Sequence, residues 1–294
     1  DNVWKNVGEI PDNKKDDDQN GYIDDVYGWD FAGSDTDGDG MVSEVEAVGD
    51  NDPSPDFPSG NNADKDAVQH ATIIAGIIGA VGDNGRDGAG INWQVRLMNV
   101  RAIGSSGEGS IPPLARGIRY AVDNGADVIN ISMVGEPTEM IREAVEYAYA
   151  HGVVVVAAAG NTLTDLDKNP LFPICVDAEG GSVRVLGVSA IRDDRRTSGF
   201  SNGGATCIDV SAPGVDISST NIVDAGHGFN DSYTAHWNGT SFSTPFVAGT
   251  AALVKSVRPD WTAAQIYEAI LSSVSKTSGQ DEAVYSYLFG KGLL

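Results

Sequence analysis

Ser241 stands in Asn238-Gly-Thr-Ser-Phe-Ser-Thr-Pro-Phe-Val-Ala-Gly249, a glycine-flanked turn that opens into an apolar helix. A small residue before the serine lets a substrate backbone come close. The helix N-terminus behind it offers unpaired N–H groups and a positive dipole end where an oxyanion would form. Pro245 is expected in the first turn of that helix, where a missing N–H costs nothing. The chemistry these features suit is nucleophilic acyl transfer. It needs a base, a carboxylate that orients the base, and oxyanion donors. A candidate base is His70 in Gln69-His-Ala-Thr-Ile-Ile-Ala-Gly76, at the entry to an apolar helix. A candidate amide donor is Asn161, which closes Val153-Val-Val-Val-Ala-Ala-Ala-Gly-Asn161, a buried strand running into a glycine turn. The other histidines, His151, His227 and His236, have no comparable frame.

These three runs together resemble the motifs of the subtilisin-like serine proteases. The resemblance covers nearly the whole chain, with further matches at Gly199-Phe-Ser-Asn202 and Val210-Ser-Ala-Pro-Gly-Val215. It implies Ser241 as nucleophile, His70 as general base and Asn161 as side-chain oxyanion donor. It also implies an aspartate that ends an apolar strand ahead of the histidine. No aspartate among residues 1–69 follows such a run. The expectation is therefore that the catalytic aspartate lies roughly ten to twenty residues upstream. Gly290-Lys-Gly-Leu-Leu294 resembles the family's closing motif, cut just short. The chain thus reads as a catalytic domain truncated at both ends. Two positions depart from the family pattern: Ala71 and Val134 stand where glycine is common.

Substrate-binding segments carry over by the same resemblance. Ser132, Met133, Val134 and Gly135 match the strand that lines the primary specificity pocket, with Ala159 and Gly160 opposite. Ser106, Gly107 and Gly109 match the edge that pairs with an extended peptide. Backbone pairing of this kind gives affinity with little sequence selection. Val134 either narrows the pocket toward small side chains or packs in the core.

The formal net charge of −23 excludes a nucleic-acid binder driven by phosphate contacts. Residues 1–66 hold 19 acidic and 4 basic side chains, so most of that charge lies in one segment. Asp35-Thr-Asp-Gly-Asp-Gly-Met-Val-Ser-Glu-Val-Glu46 fits a calcium-loop template: Asp35, Asp37 and Asp39, the Met41 carbonyl and a bidentate Glu46, with glycine at position six. Asp16-Asp-Asp-Gln-Asn-Gly-Tyr-Ile-Asp-Asp25 is a shorter version, near to a calcium loop of some subtilisin-like proteases. Its candidate ligands are Asp16, Asp18, Asn20, Tyr22 through its carbonyl, and Asp24 or Asp25. After the His70 helix, Asp83 is either a calcium ligand, as the resemblance implies, or part of an ordinary turn.

To position these groups the chain alternates apolar strands and helices. Strands are expected at 94–101, 127–132, 153–159, 182–190 and 207–211, and helices at 111–124, 138–151 and 262–275. That order implies an α/β fold, a three-layer sandwich around a mostly parallel sheet. No repeat or linker divides it, so residues 1–294 read as one domain with an acidic calcium-loop region at about 12–56. The longest apolar run, 73–81, is too short to cross a membrane. Cys175 and Cys207 form either one bridge or two buried thiols. The resemblance therefore implies a calcium-stabilised, secreted serine endopeptidase, extracellular or at the cell surface. Its partners would be a polypeptide substrate and an upstream fragment or propeptide of the same precursor. The alternative is a catalytically impaired pseudoprotease kept as a calcium-dependent binding module.

Overall fold

The computed structural model describes residues 2–33, 49–57, 65–105, 107, 109–178, 180–276 and 282–294. The centre of the fold follows from one strand. β4 (Val154–Ala158) is wholly buried along its length. Alternate side chains of a strand face opposite ways, so a strand apolar at every position must be covered on both faces. Val155, Ala157 and Ala159 enter a core with Leu114, Ile118, Ile141 and Val145. Those four belong to helices α2 (Ile111–Asp123) and α3 (Glu139–Ala150). Val154 and Val156 enter a second core with Val247, Ala251, Ile266 and Ile270. These come from α4 (Thr240–Val257) and α5 (Ala263–Ser273). The result is the expected three-layer α/β sandwich. Each fully buried valine contributes about 1.5–3 kcal/mol.

The central sheet runs β3 (Val128–Ile131), β4, β5 (Leu186–Ile191) and β6 (Val210–Pro213), all parallel. A separate parallel pair joins β1 (Gly28–Asp30) to β2 (Asn99–Arg101). A hairpin of β7 (Ile217–Thr220) and β8 (Tyr233–Trp237) leads into α4. Helices α1 (Lys65–Gly79) and α6 (Glu282–Phe289) complete the elements. The strand expected at 94–101 is regular only over Asn99–Arg101; before it, Leu97 exchanges backbone bonds with Asn2 and Trp4 instead.

Local sequence sets the helix ends. Thr138 caps α3 by accepting from the Ile141 N–H. Thr262 and Gln265 form a reciprocal capping box on α5. Cys175 and Cys207 are bridged, with Cα atoms 4.9 Å apart and a sequence separation of 32. A loop of that length restricts the unfolded chain by about 3.5 kcal/mol on the chain-entropy model.

Candidate active site

Gly239 caps α4 with φ of 157°, and Ser241 follows as the second residue of the helix, half-buried. Pro245 does not lie in the first turn as expected. It is the sixth helical residue, inside the helix. A proline there cannot donate to the carbonyl four residues back, which is that of Ser241. The Ser132 hydroxyl makes this bond instead, donating to the Ser241 carbonyl at 2.8 Å. The Ser241 hydroxyl in turn donates to the Ser132 carbonyl at 3.1 Å. Asn130 supports the pair, donating through Nδ2 to the Ser132 hydroxyl at 3.0 Å. The end of β3 and the start of α4 are thus stitched together at the nucleophile.

Asn161 is exposed at the tip of the turn after β4. Its Oδ1 accepts from the Thr240 N–H at 2.9 Å and from the Thr240 hydroxyl at 3.0 Å. A backbone N–H can only donate, so Oδ1 is fixed toward Thr240 and Nδ2 is the face turned away. The Thr240 hydroxyl also accepts from the Gly160 N–H at 3.0 Å. Asn202 holds the same turn from beneath: its Nδ2 donates to the Ala159 carbonyl and its N–H to the Gly160 carbonyl. Gly160 has φ of 91°, and a Cβ there would lie 2.5 Å from Asn202 Nδ2 and 3.2 Å from Val134 Cγ2. Glycine is required on both counts. Thr240 and Asn202 were not singled out from the sequence. Their signal was their place inside or beside the quoted motifs.

His70 lies in α1, half-buried, its ring 5.5 Å centroid to centroid from that of Phe242. Phe242 is anchored by Ile73, Ile77 and Ile217, so the residue after the nucleophile seats the base. Burial lowers the imidazole pKa, and among the described residues no charged neighbour opposes it. Among the described residues, no carboxylate bonds to His70. Two other histidines do have aspartate partners, His227 with Asp224 and His236 with Asp216, but both pairs are largely solvent-facing. Ala71 sits within α1 at an ordinary helical φ, so its methyl strains nothing.

His70, Asn161, Ser132, Met133 and Ser241 line one cleft of about 1740 Å³. Gly107 borders it, whereas Ser106 lies outside the described residues. Val134 is half-buried and packs on the core beside Met133. Gly135 exchanges two backbone bonds with Phe172, which fixes that wall. Gly109 is exposed against Ile103.

Of the acidic residues, Glu9, Asp16 and Asp18 bring carboxylate oxygens within 4.8 Å of one another. Glu9 was not among the residues expected from the sequence. It lies before the loop and carries no motif. Asn20 donates to Asp25 Oδ2 at 3.0 Å, and Asp25 also accepts from the Tyr120 hydroxyl and from Asn6. Asp24 accepts from the Asn13 and Lys14 N–H groups. The Tyr22 ring packs against Trp29, Phe31 and Tyr120. Asp83 is exposed at φ of 55° and belongs to no carboxylate cluster among the described residues. Asp35, Asp37, Asp39, Met41 and Glu46 lie outside the described residues.

The profile of the subtilase family, peptidase S8, matches residues 12–292. Subtilisin DY of Bacillus licheniformis is 36% identical over 240 residues, 81% of this chain and 80% of that protein. Subtilisin E of Bacillus subtilis (strain 168) is 34% identical over 239 residues, of which the match spans 57% of its length. A solved protease of Pseudoalteromonas arctica PAMC 21717 superposes with a TM-score of 0.72 at 27% identity, covering 91% of this chain and 80% of that one.

Proposed function

The chain belongs to the subtilase family of serine proteases, and from that premise we propose that it is a calcium-stabilised, secreted endopeptidase acting through an acyl-enzyme. The observation that carries the reading is the clamp of Asn161 on Thr240, which holds an amide donor next to Ser241. In this reading Ser241 attacks the peptide carbonyl while His70 takes its proton. The proton then passes to the leaving amine, and water releases the acyl group by the reverse path. Asn161 Nδ2 and the Ser241 N–H, one of the orphan donors of the helix start, stabilise the oxyanion. An aspartate from outside residues 1–294 orients His70.

Ser132 to Gly135 and Ala159 to Gly160 form the primary pocket, narrowed where Val134 approaches Gly160. Ser106, Gly107 and Gly109 pair with the substrate backbone. Glu9, Asp16 and Asp18 supply hard oxygens of the kind calcium takes, and the sequence spacing of Asp35, Asp37, Asp39, Met41 and Glu46 supports a second calcium loop. Relatives named as subtilisins and the Cys175–Cys207 bridge support an extracellular setting. No described helix is long and apolar enough to cross a membrane. Retention of Ser241, His70 and an oriented Asn161 disfavours a pseudoprotease. Labelling with a fluorophosphonate tests the nucleophile. Covalent adduct on the native protein and none on Ser241→Ala is the expected result; equal labelling of both removes the reading.

A further inference from the structure

The hairpin that leads into the nucleophile is irregular near its end. Ile217 pairs with Trp237 and Ser219 with Thr234, so one residue of β7, Ser218, faces two of β8, Ala235 and His236. The extra residue makes a β-bulge, and a bulge beside an active site re-aims a side chain. His236 takes the left-handed conformation there, with φ of 68°, and Asp216 across the hairpin takes it too, with φ of 60°. Such backbone is uncommon away from glycine, and two facing residues that adopt it need something to hold them. Asn238 does so from both sides: its Oδ1 accepts from the Asp216 N–H at 3.0 Å, and its Nδ2 donates to the His236 carbonyl at 3.0 Å. The His236 ring then bonds through Nδ1 to Asp216 Oδ1 at 2.5 Å. A carboxylate only accepts, so Nδ1 carries the hydrogen and Nε2 is the end left to act. Among the described residues neither Nε2 nor Asp216 Oδ2 has a partner, and both side chains are mostly exposed. Trp237 next to them differs. Its Nε1 donates to the Thr234 hydroxyl and its ring lies against Phe242, so it is a wall.

His236, Trp237 and Asn238 border the same cleft as Ser241 and His70. Their side of it follows from packing. The pocket proposed for the residue before the scissile bond is built on the ends of β3 and β4. The hairpin packs instead on α1, where the Ser219 and Thr220 hydroxyls donate to the Ile73 and Thr72 carbonyls. It therefore borders the part of a substrate that leaves. We propose that His236, held by Asp216, selects a basic residue at one of the first two positions after the scissile bond. With Nδ1–H given to Asp216, the neutral ring offers an acceptor to the substrate beside a carboxylate oxygen that is still open. An arginine has donors for both, whereas a glutamate meets only repulsion. The formal net charge of −23 favours the same sign of partner. The assignment rests on the protease reading.

The test follows how an acyl-enzyme divides between water and added amines. Acetyl-alanine p-nitrophenyl ester acylates Ser241 with release of nitrophenolate, a leaving group that needs no proton. An added dipeptide amide then occupies the leaving side: its amine forms the new amide bond as the ester bond to Ser241 Oγ breaks, and its proton returns to Oγ. The amines compared are Ala-Ala amide and its variants with arginine or glutamate first or second. One of the arginine amides is expected to capture the acyl group about threefold better than Ala-Ala amide, and glutamate at that position to capture it less well. His236→Ala removes that preference. Asp216→Asn, which the left-handed backbone tolerates, removes it as well. Absence of a Ser241-dependent nitrophenolate burst removes the protease reading and this assignment with it. A burst followed by equal capture of all the amines, or an arginine preference that survives His236→Ala, overturns the assignment and leaves the protease reading in place.

Discussion

Ser241 and Ser132 hydrogen-bond each other twice, each hydroxyl donating to the other's carbonyl. The exchange is made possible by Pro245, whose missing N–H leaves the Ser241 carbonyl free of its usual helical donor. Ser132→Ala keeps the backbone acceptor for Ser241 but removes the donor to its carbonyl. It also leaves Asn130 Nδ2 without its partner. The cost expected is about 1–3 kcal/mol, a fall in melting temperature of several degrees, with slower labelling of Ser241. Unchanged melting and labelling would show that the second bond matters little.

Asn161 depends on Thr240 for its orientation. Asn161→Ala is expected to lower kcat about 10²–10³-fold with KM little changed, as for loss of one oxyanion donor. Thr240→Val removes both the hydroxyl that holds Oδ1 and the acceptor of the Gly160 N–H. It is expected to reproduce part of that loss, and Thr240→Ser to restore most of it. A Thr240→Val enzyme with full kcat would sever the clamp from catalysis.

The parts of the site legible in sequence were those whose chemistry is local. A serine on a glycine turn, a histidine in a framed helix and an amide closing a buried strand each carry their own pattern. Thr240 and Asn202 act through partners 79 and 43 residues away, and the bond from Ser132, expected only as a pocket residue, to Ser241 spans 109, so no spacing along the chain announces these contacts. The same limit explains Pro245, whose role is visible only once β3 lies against α4. The apolar run at 153–159 read correctly as a buried strand because burial on both faces abolishes alternation. The strand expected at 94–101 was overestimated because Leu97 bonds to Asn2 and Trp4 and regular pairing begins only at Asn99.

Glu9, Asp16 and Asp18 crowd three carboxylates together, which a cation would relieve. A chelator is expected to lower the melting temperature of the native protein. Asp18→Asn and Asp16→Asn are each expected to reduce that sensitivity, because each deletes one hard anionic ligand. A chelator response identical in both variants would assign calcium elsewhere, the Asp35–Glu46 loop first.

Asp209 is a buried carboxyl at the end of the loop before β6. Its carboxylate accepts from the Gly187 N–H at 2.8 Å, yet burial raises its pKa to about 7, with Asp177 adding repulsion. A carboxyl with a raised folded pKa binds more protons folded than unfolded. Its stabilisation is present below the unfolded value, about 4, and is lost as pH rises to about 7. Asp209→Asn is therefore expected to flatten the fall in stability over that window and to raise the melting temperature by a few degrees at pH 8. Melting curves from pH 4 to 8 decide it: parallel curves for the two proteins would place the titration on another group.

His70 should titrate below the ordinary histidine value of about 6.5, because burial against Phe242 disfavours its charged form and no described anion opposes it. The neutral ring is the competent base, so labelling of Ser241 is expected to fall only as pH drops through that lowered value. A lowered folded pKa also means that the stability linked to His70 is present above about 6.5 and lost as pH falls below it. A carboxylate delivered beside the ring has the opposite sign: it favours imidazolium, raises the pKa and shifts the acid limb to higher pH. NMR titration of the His70 ring in the Ser241→Ala protein reads the midpoint directly. A midpoint above 6.5 would show that a carboxylate already partners His70.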